Sequence, residues 1–168
     1  WSVVLTLKSL NVLNVLVDQH TIFLPAGQMV QDPFQVEGYF NPPWTAALLL
    51  LFSLLPEPLA ILLQLVLYYV LMVLIIHKFG GGRKEVLVAL TSFIAFDSAL
   101  ELNVEWMVCI GLLLPVRWSM PFLIIKPQTA FGYYLGIDWR KILSAGVIAI
   151  LFIGGSLLIW PDWITMMI

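Results

Sequence analysis

The chain has 168 residues, of which 61% are hydrophobic and 11% charged, with a net charge of −2, and its mean hydropathy is +1.00. A soluble domain carries about 25% charged residues, so there is too little polar surface here to face water all round, and lipid is the expected solvent. Eight Lys and Arg scattered along the chain make no basic stripe, which excludes a nucleic-acid reader. The single Cys109, inside an apolar run, offers neither a disulfide nor a thiolate metal site.

A helix that crosses a membrane needs about 20 apolar residues, or about 17 at the short end. Residues 1–17 just meet that length, with Lys8 able to snorkel. The chain opens on Trp1 rather than Met, so upstream residues are expected to extend this helix. No basic stretch with a small-residue cleavage site marks a signal peptide. Residues 18–43 hold Asp18, Asp32 and Glu37, no Lys or Arg, and four prolines, and read as a long polar loop with short helical pieces. Residues 44–55 form an apolar helix of roughly 18 Å that ends at Pro56-Glu57-Pro58 and reads as a half-span or interfacial helix, since the alternative, a full crossing, would break the charge partition.

Residues 59–76 are the cleanest span, followed by a basic turn with His77, Lys78, three glycines, Arg83 and Lys84. Two apolar stretches, 86–99 and 106–115, are separated by Asp97, Glu101, Asn103 and Glu105. A further apolar stretch, 118–135, is broken by Lys126-Pro127, and 139–160 makes the last span, anchored by Trp160 and Trp163. The expected architecture is all-α: one polytopic transmembrane domain over 1–168, with about five spans plus short interfacial or re-entrant helices. Lys78, Arg83, Lys84, Arg117, Lys126, Arg140 and Lys141 are expected on the cytoplasmic side, including the basic turn 77–85, with loops 18–43 and 97–105 outside.

Asp18 follows directly on the first span, close to His20. A carboxylate at that boundary stays ionised while meeting a lipid-borne substrate, as a general base must; it equally ends a helix in water. Asp97, Glu101 and Glu105, four apart, would line one face of a continuous helix. Inside lipid such a stripe marks a proton or cation path; split at a break, it is a solvated acidic rim. His20 and His77 belong to segments on opposite sides and do not make a bis-histidine haem site.

The loop Asp18-Gln-His-Thr-Ile-Phe-Leu-Pro-Ala-Gly, the turn Asp32-Pro33-Phe34 and the step Phe40-Asn41-Pro42-Pro43 into the next helix resemble the polytopic C-type glycosyltransferases that use polyprenyl-phosphate sugars, in their bacterial mannosyltransferase-like branch. Leu55-Pro56, Asn103-Val104-Glu105-Trp106 and Ile125-Lys126-Pro127-Gln128 are similar to later elements of that family, so the likeness runs from Asp18 to about Arg140. The family's Gly before the Asn is Leu102 here, and such enzymes are about twice as long, so the chain resembles their N-terminal half.

The resemblance implies Asp18 as the base that activates the acceptor hydroxyl, with His20, Asp32, Asn41, Asn103 and Lys126 toward substrate. It implies a polyprenyl-phosphate sugar as donor, no cofactor or metal, and a bacterial cytoplasmic membrane with loop 18–43 outward. Asp32 also suits a purely structural turn, and the expected cytoplasmic side of Lys126 favours snorkelling or helix packing. Two other functions fit the sequence: a non-catalytic scaffold held among other membrane subunits, and a small ion or proton carrier using Asp97, Glu101 and Glu105.

Overall fold

The computed structural model describes residues 16–166, which form helices and connecting turns with no strand among them. The first expected span, 1–17, lies outside the described residues except for its last two. A π-helical turn, Gln19–Phe23, leads into α1 (Leu24–Gln28), and a 3₁₀ turn, Pro33–Gln35, precedes α2 (Pro43–Ser53). Then come α3 (Glu57–Lys78), α4 (Arg83–Leu90), α5 (Phe93–Glu101), α6 (Glu105–Leu113), α7 (Val116–Leu123), α8 (Pro127–Tyr134), α9 (Trp139–Ile159) and α10 (Trp163–Met166).

Two of these, α3 with 22 residues and α9 with 21, are long and apolar enough to cross a membrane. Only 22% and 17% of their most apolar windows are buried, so most of that surface is left for a solvent other than water. α2, with 11 residues, is the short helix expected over 44–55. The stretches 86–99 and 118–135 are not single helices. Thr91-Ser92 divides the first, with Ser92 capping α5 by accepting from Ala95 N–H at 3.2 Å. Pro127, which favours a first-turn position, starts α8 and divides the second.

The caps explain the other boundaries. α3 ends in a Schellman arrangement: Gly80, at φ +86°, and Gly81 donate back to His77 O and Ile76 O at 3.0 and 2.8 Å. Glu85 accepts from Gly82 N–H at 2.8 Å to cap α4. Its own N–H and that of Gly82 hold this carboxyl below the usual range. Asp138 accepts from Arg140 N–H at 2.8 Å and starts α9.

Packing follows small residues. α9 turns only Ala145, Ala149 and Ser156 inward, against α7, as membrane helices do where backbones approach closely. The buried face of α3 is Ala60, Gln64, Tyr68 and Leu71, against α6. Lys78 donates to Leu112 O at 2.7 Å and Leu114 O at 3.2 Å, satisfying the C-terminal carbonyls of α6. Residues 18–43 are a compact cap rather than an open loop. Ala26, Val36, Tyr39 and Ala46 form its core, Tyr39 donates to Pro42 O at 3.0 Å, and burial pushes the Tyr39 hydroxyl far above its ordinary range.

Gly27 seats this cap on α2: a Cβ there would meet the backbone carbon of Leu49 at 2.9 Å and its oxygen at 3.0 Å. Backbone cannot give way as a flexible side chain can. Gly27→Ala is expected to destabilise by about 1–3 kcal/mol, as overpacking does. Thermal unfolding of the protein in nanodiscs checks this; an unchanged midpoint would show that the cap is not seated on Leu49.

Candidate functional site

Three remote segments converge beside α3. Leu16 N–H donates to Leu100 O at 2.9 Å, tying the start of the cap to the end of α5. Asp18 lies two residues on, and Asp97, Glu105, Asp18 and Lys126 are the charged groups whose fields reach the Glu101 carboxylate. Lys126 Nζ donates to Glu105 Oε1. The two side chains are 26% and 23% exposed, so the pair is neither dry nor freely solvated.

The clamp from Lys78 fixes how deep this polar seam lies. Glu105 is seven residues before Leu112, hence about 10 Å back along the helix at 1.5 Å per residue. That brings the start of α6 level with Tyr68 and Leu71, with which Val104, Met107 and Val108 share one buried cluster. The seam is therefore level with the middle of α3, at Tyr68 and Leu71.

Local backbone makes the convergence. α5 ends on Leu102, whose φ of +46° and ψ of +48° are left-handed. A non-glycine residue there costs roughly 1–2 kcal/mol. Leu102 is 2% exposed, and burying such a side chain returns about 1.5–3 kcal/mol. The turn separates Asp97 and Glu101 on α5 from Glu105 on α6, so the acids do not share one helix.

Of the residues expected at a site, Asp18 and Lys126 belong to the seam. The Lys126 ammonium is taken up by its ion pair with Glu105. His20 pairs with Glu57 at the N-terminus of α3, closing a cleft of 270 Å³ that Leu24, Gln28 and Ser53 also line. Asn103 accepts from Val104 N–H at 2.7 Å within the turn before α6, a local structural role. Asp32 accepts from Gln35 Nε2 at 2.7 Å across its own turn. Asn41 lies in the turn before α2, and no hydrogen bond of its side chain is formed among the described residues.

Sequence reasoning passes over Gln19 and Gln64. Both are fully buried, and their amides have no partner among the described residues. Gln19 adjoins Asp18, and Gln64 is one turn from Tyr68. Glu105 Oε2 is likewise buried and unpartnered. Each such group costs about 1–3 kcal/mol, and a π-helical turn such as Gln19–Phe23 is a frequent mark of a functional position. Among the described residues no three His, Cys, Asp or Glu are placed to hold a metal ion. No known family matches the chain, and no curated protein or solved structure matches it significantly.

Lys126→Met is expected to destabilise by about 2 kcal/mol, between the limits for exposed and buried pairs, by leaving Glu105 alone. Adding Glu105→Gln should recover most of that loss. A double-mutant cycle in nanodiscs measures it, and strictly additive effects would show the two residues to be independent.

Proposed function

We propose that the chain is a multi-pass membrane protein acting as the N-terminal module of a polyprenyl-phosphate-sugar-dependent glycosyltransferase, with Asp18 as its base. The observation that carries this reading is the Leu16–Leu100 hydrogen bond, which brings the start of the cap with Asp18 to the end of α5, next to the turn that leads to Glu105 and its partner Lys126. About five crossings fit the chain, with 1–17, α3 and α9 as complete spans and the broken helices between α3 and α9 supplying the rest. α6 and α7 fit a re-entrant pair, and loop 18–43 faces the outside of a bacterial cytoplasmic membrane.

In this reading the seam lies within the bilayer but opens toward the cap, where a lipid-borne donor presents its head group. Asp18 takes the proton of an acceptor hydroxyl as that oxygen bonds to the sugar's anomeric carbon. The bond from that carbon to the polyprenyl phosphate breaks, and the phosphate leaves with the electron pair. Lys126 supplies positive charge toward the leaving phosphate, and Glu105 holds it until substrate enters. Asp18→Asn should lower sugar transfer by about 10²–10⁴, the usual worth of a general base, in the longest natural chain containing this sequence. Transfer from polyprenyl-phosphate mannose in proteoliposomes is the assay, and full activity in the variant would sink the proposal.

Carboxylates level with the middle of α3 also favour a second reading, a small proton or ion carrier. It differs by experiment: proton uptake by sealed vesicles that needs Glu101 and persists without any lipid-linked sugar. The uncovered apolar faces of α3 and α9 support a third, a scaffold subunit, for which Asp18→Asn has no consequence and other membrane subunits co-purify.

A further inference from the structure

Both long helices touch the cap with one end and carry basic residues at the other. His20 of the cap pairs with Glu57, the first residue of α3, and Trp160, just past α9, donates to Val30 O of the cap at 2.8 Å. At 1.5 Å per residue α3 and α9 each rise about 30 Å, the thickness of the hydrocarbon core of a bilayer. Where these helices span, their far ends reach the head-group layer opposite the cap.

Those ends are cationic. Lys78, Arg83 and Lys84 lie where α3 gives way to α4, and Arg140 and Lys141 begin α9, whereas residues 18–43 hold no Lys or Arg. The acids of these two segments are already engaged as caps: Glu85 accepts from Gly82 N–H and Asp138 from Arg140 N–H, both at 2.8 Å. Lys78 is engaged by the carbonyls of Leu112 and Leu114. Arg83, Lys84, Arg140 and Lys141 are exposed and have no carboxylate partner among the described residues. Neither helix gains from them, since cations in a first turn face the positive end of the helix dipole.

Apolar surface accompanies the charge. The Arg140 guanidinium lies 5.7 Å from the centre of the Trp139 ring, and Lys78 Nζ 6.0 Å from that of Phe79. These rings are 63% and 60% exposed. α4 buries none of its residues, and its Leu87 and Val88 are 66% and 69% exposed. Basic residues beside bare aliphatic side chains suit the boundary between head groups and acyl chains, and exposed aromatic rings mark the same layer.

We propose that α4 and the start of α9 bind the phosphate groups of anionic phospholipids in the leaflet opposite the cap. This rests on the membrane part of the reading above and on no step of sugar transfer. Charge complementarity selects an anion. The bare rings and aliphatic side chains select a lipid over a soluble phosphate, which would leave them in water. Arginine takes two phosphate oxygens through its planar fork, and lysine adds a point charge.

Native mass spectrometry of the full chain, released from nanodiscs of equal parts phosphatidylcholine and phosphatidylglycerol, tests this. Phosphatidylglycerol is expected to be retained in preference, and glycerol phosphate, the soluble counterpart, is expected not to displace it. The combined variant Arg83→Gln, Lys84→Gln, Arg140→Gln and Lys141→Gln keeps Gly82, Glu85 and Asp138, hence both caps. It should hold phosphatidylglycerol at least about tenfold more weakly, since each basic residue near such a surface is worth about fivefold. Arg83→Lys with Arg140→Lys, which preserves the charge, should retain the preference. Equal retention of the two lipids, unchanged retention in the combined variant, or displacement by glycerol phosphate would overturn the proposal. Alkaline carbonate extraction keeps the two failures apart. A chain that stays in the membrane pellet without preferring phosphatidylglycerol contradicts this proposal alone, whereas a chain released to the supernatant contradicts the membrane reading beneath it.

Discussion

The ion pair between Lys126 and Glu105 is the contact on which the arrangement around the seam depends. It joins the residue that precedes α8 to the first residue of α6, across the α6–α7 hairpin, and so fixes where the charged groups of the middle segments can lie. Lys78 performs the complementary task at the other end of α6, through the carbonyls of Leu112 and Leu114. Between these two anchors α6 has little freedom to slide along α3. Glu101 at the end of α5 is then held near the start of the cap, which the Leu16–Leu100 hydrogen bond ties to α5 across more than eighty residues of sequence.

The polar seam is paired with apolar faces that no described residue covers. Leu62, Val66, Val70 and Leu74 of α3 are at least 41% exposed, as are Leu143, Val147, Ile150 and Leu158 of α9. Scattered exposed apolar residues are ordinary, but two whole helix faces are not. Their inward sides show the opposite economy: small residues on α9, and one glutamine and one tyrosine among the apolar positions of α3. This is the inverse of a water-soluble bundle. Both helices are long and apolar enough to cross a membrane.

Much of the architecture could be read from the chain because it depends on local rules. The length and apolarity of α3 and α9, the short α2 after Pro42-Pro43, and the breaks at Asn103 and Lys126-Pro127 all follow from hydropathy and proline chemistry. What could not be read depends on tertiary geometry. Charge counting sees a basic residue in Lys126 and not its partner; only the fold of α6 against α7 brings Glu105 to it. Asp18 and the acidic stretch 97–105 looked like separate features, because nothing local predicts the Leu16–Leu100 hydrogen bond. Gln19 and Gln64 gave no signal at all: a lone glutamine in an apolar run has no periodic signature. Asn103, in contrast, drew attention by resemblance and turned out to cap its own turn.

The account rests on Asp18 and Glu101 being neighbours, and cross-linking tests that most directly. With Cys109→Ser as background, Asp18→Cys and Glu101→Cys would be introduced together and the protein treated in membranes with a short bismaleimide. Rapid intramolecular cross-linking, absent from either single-cysteine control, is the predicted result. Two cysteines that label independently, from opposite faces of the membrane and without forming a cross-link, would contradict the shared seam and remove the basis for placing Asp18 in a common site with Glu105 and Lys126.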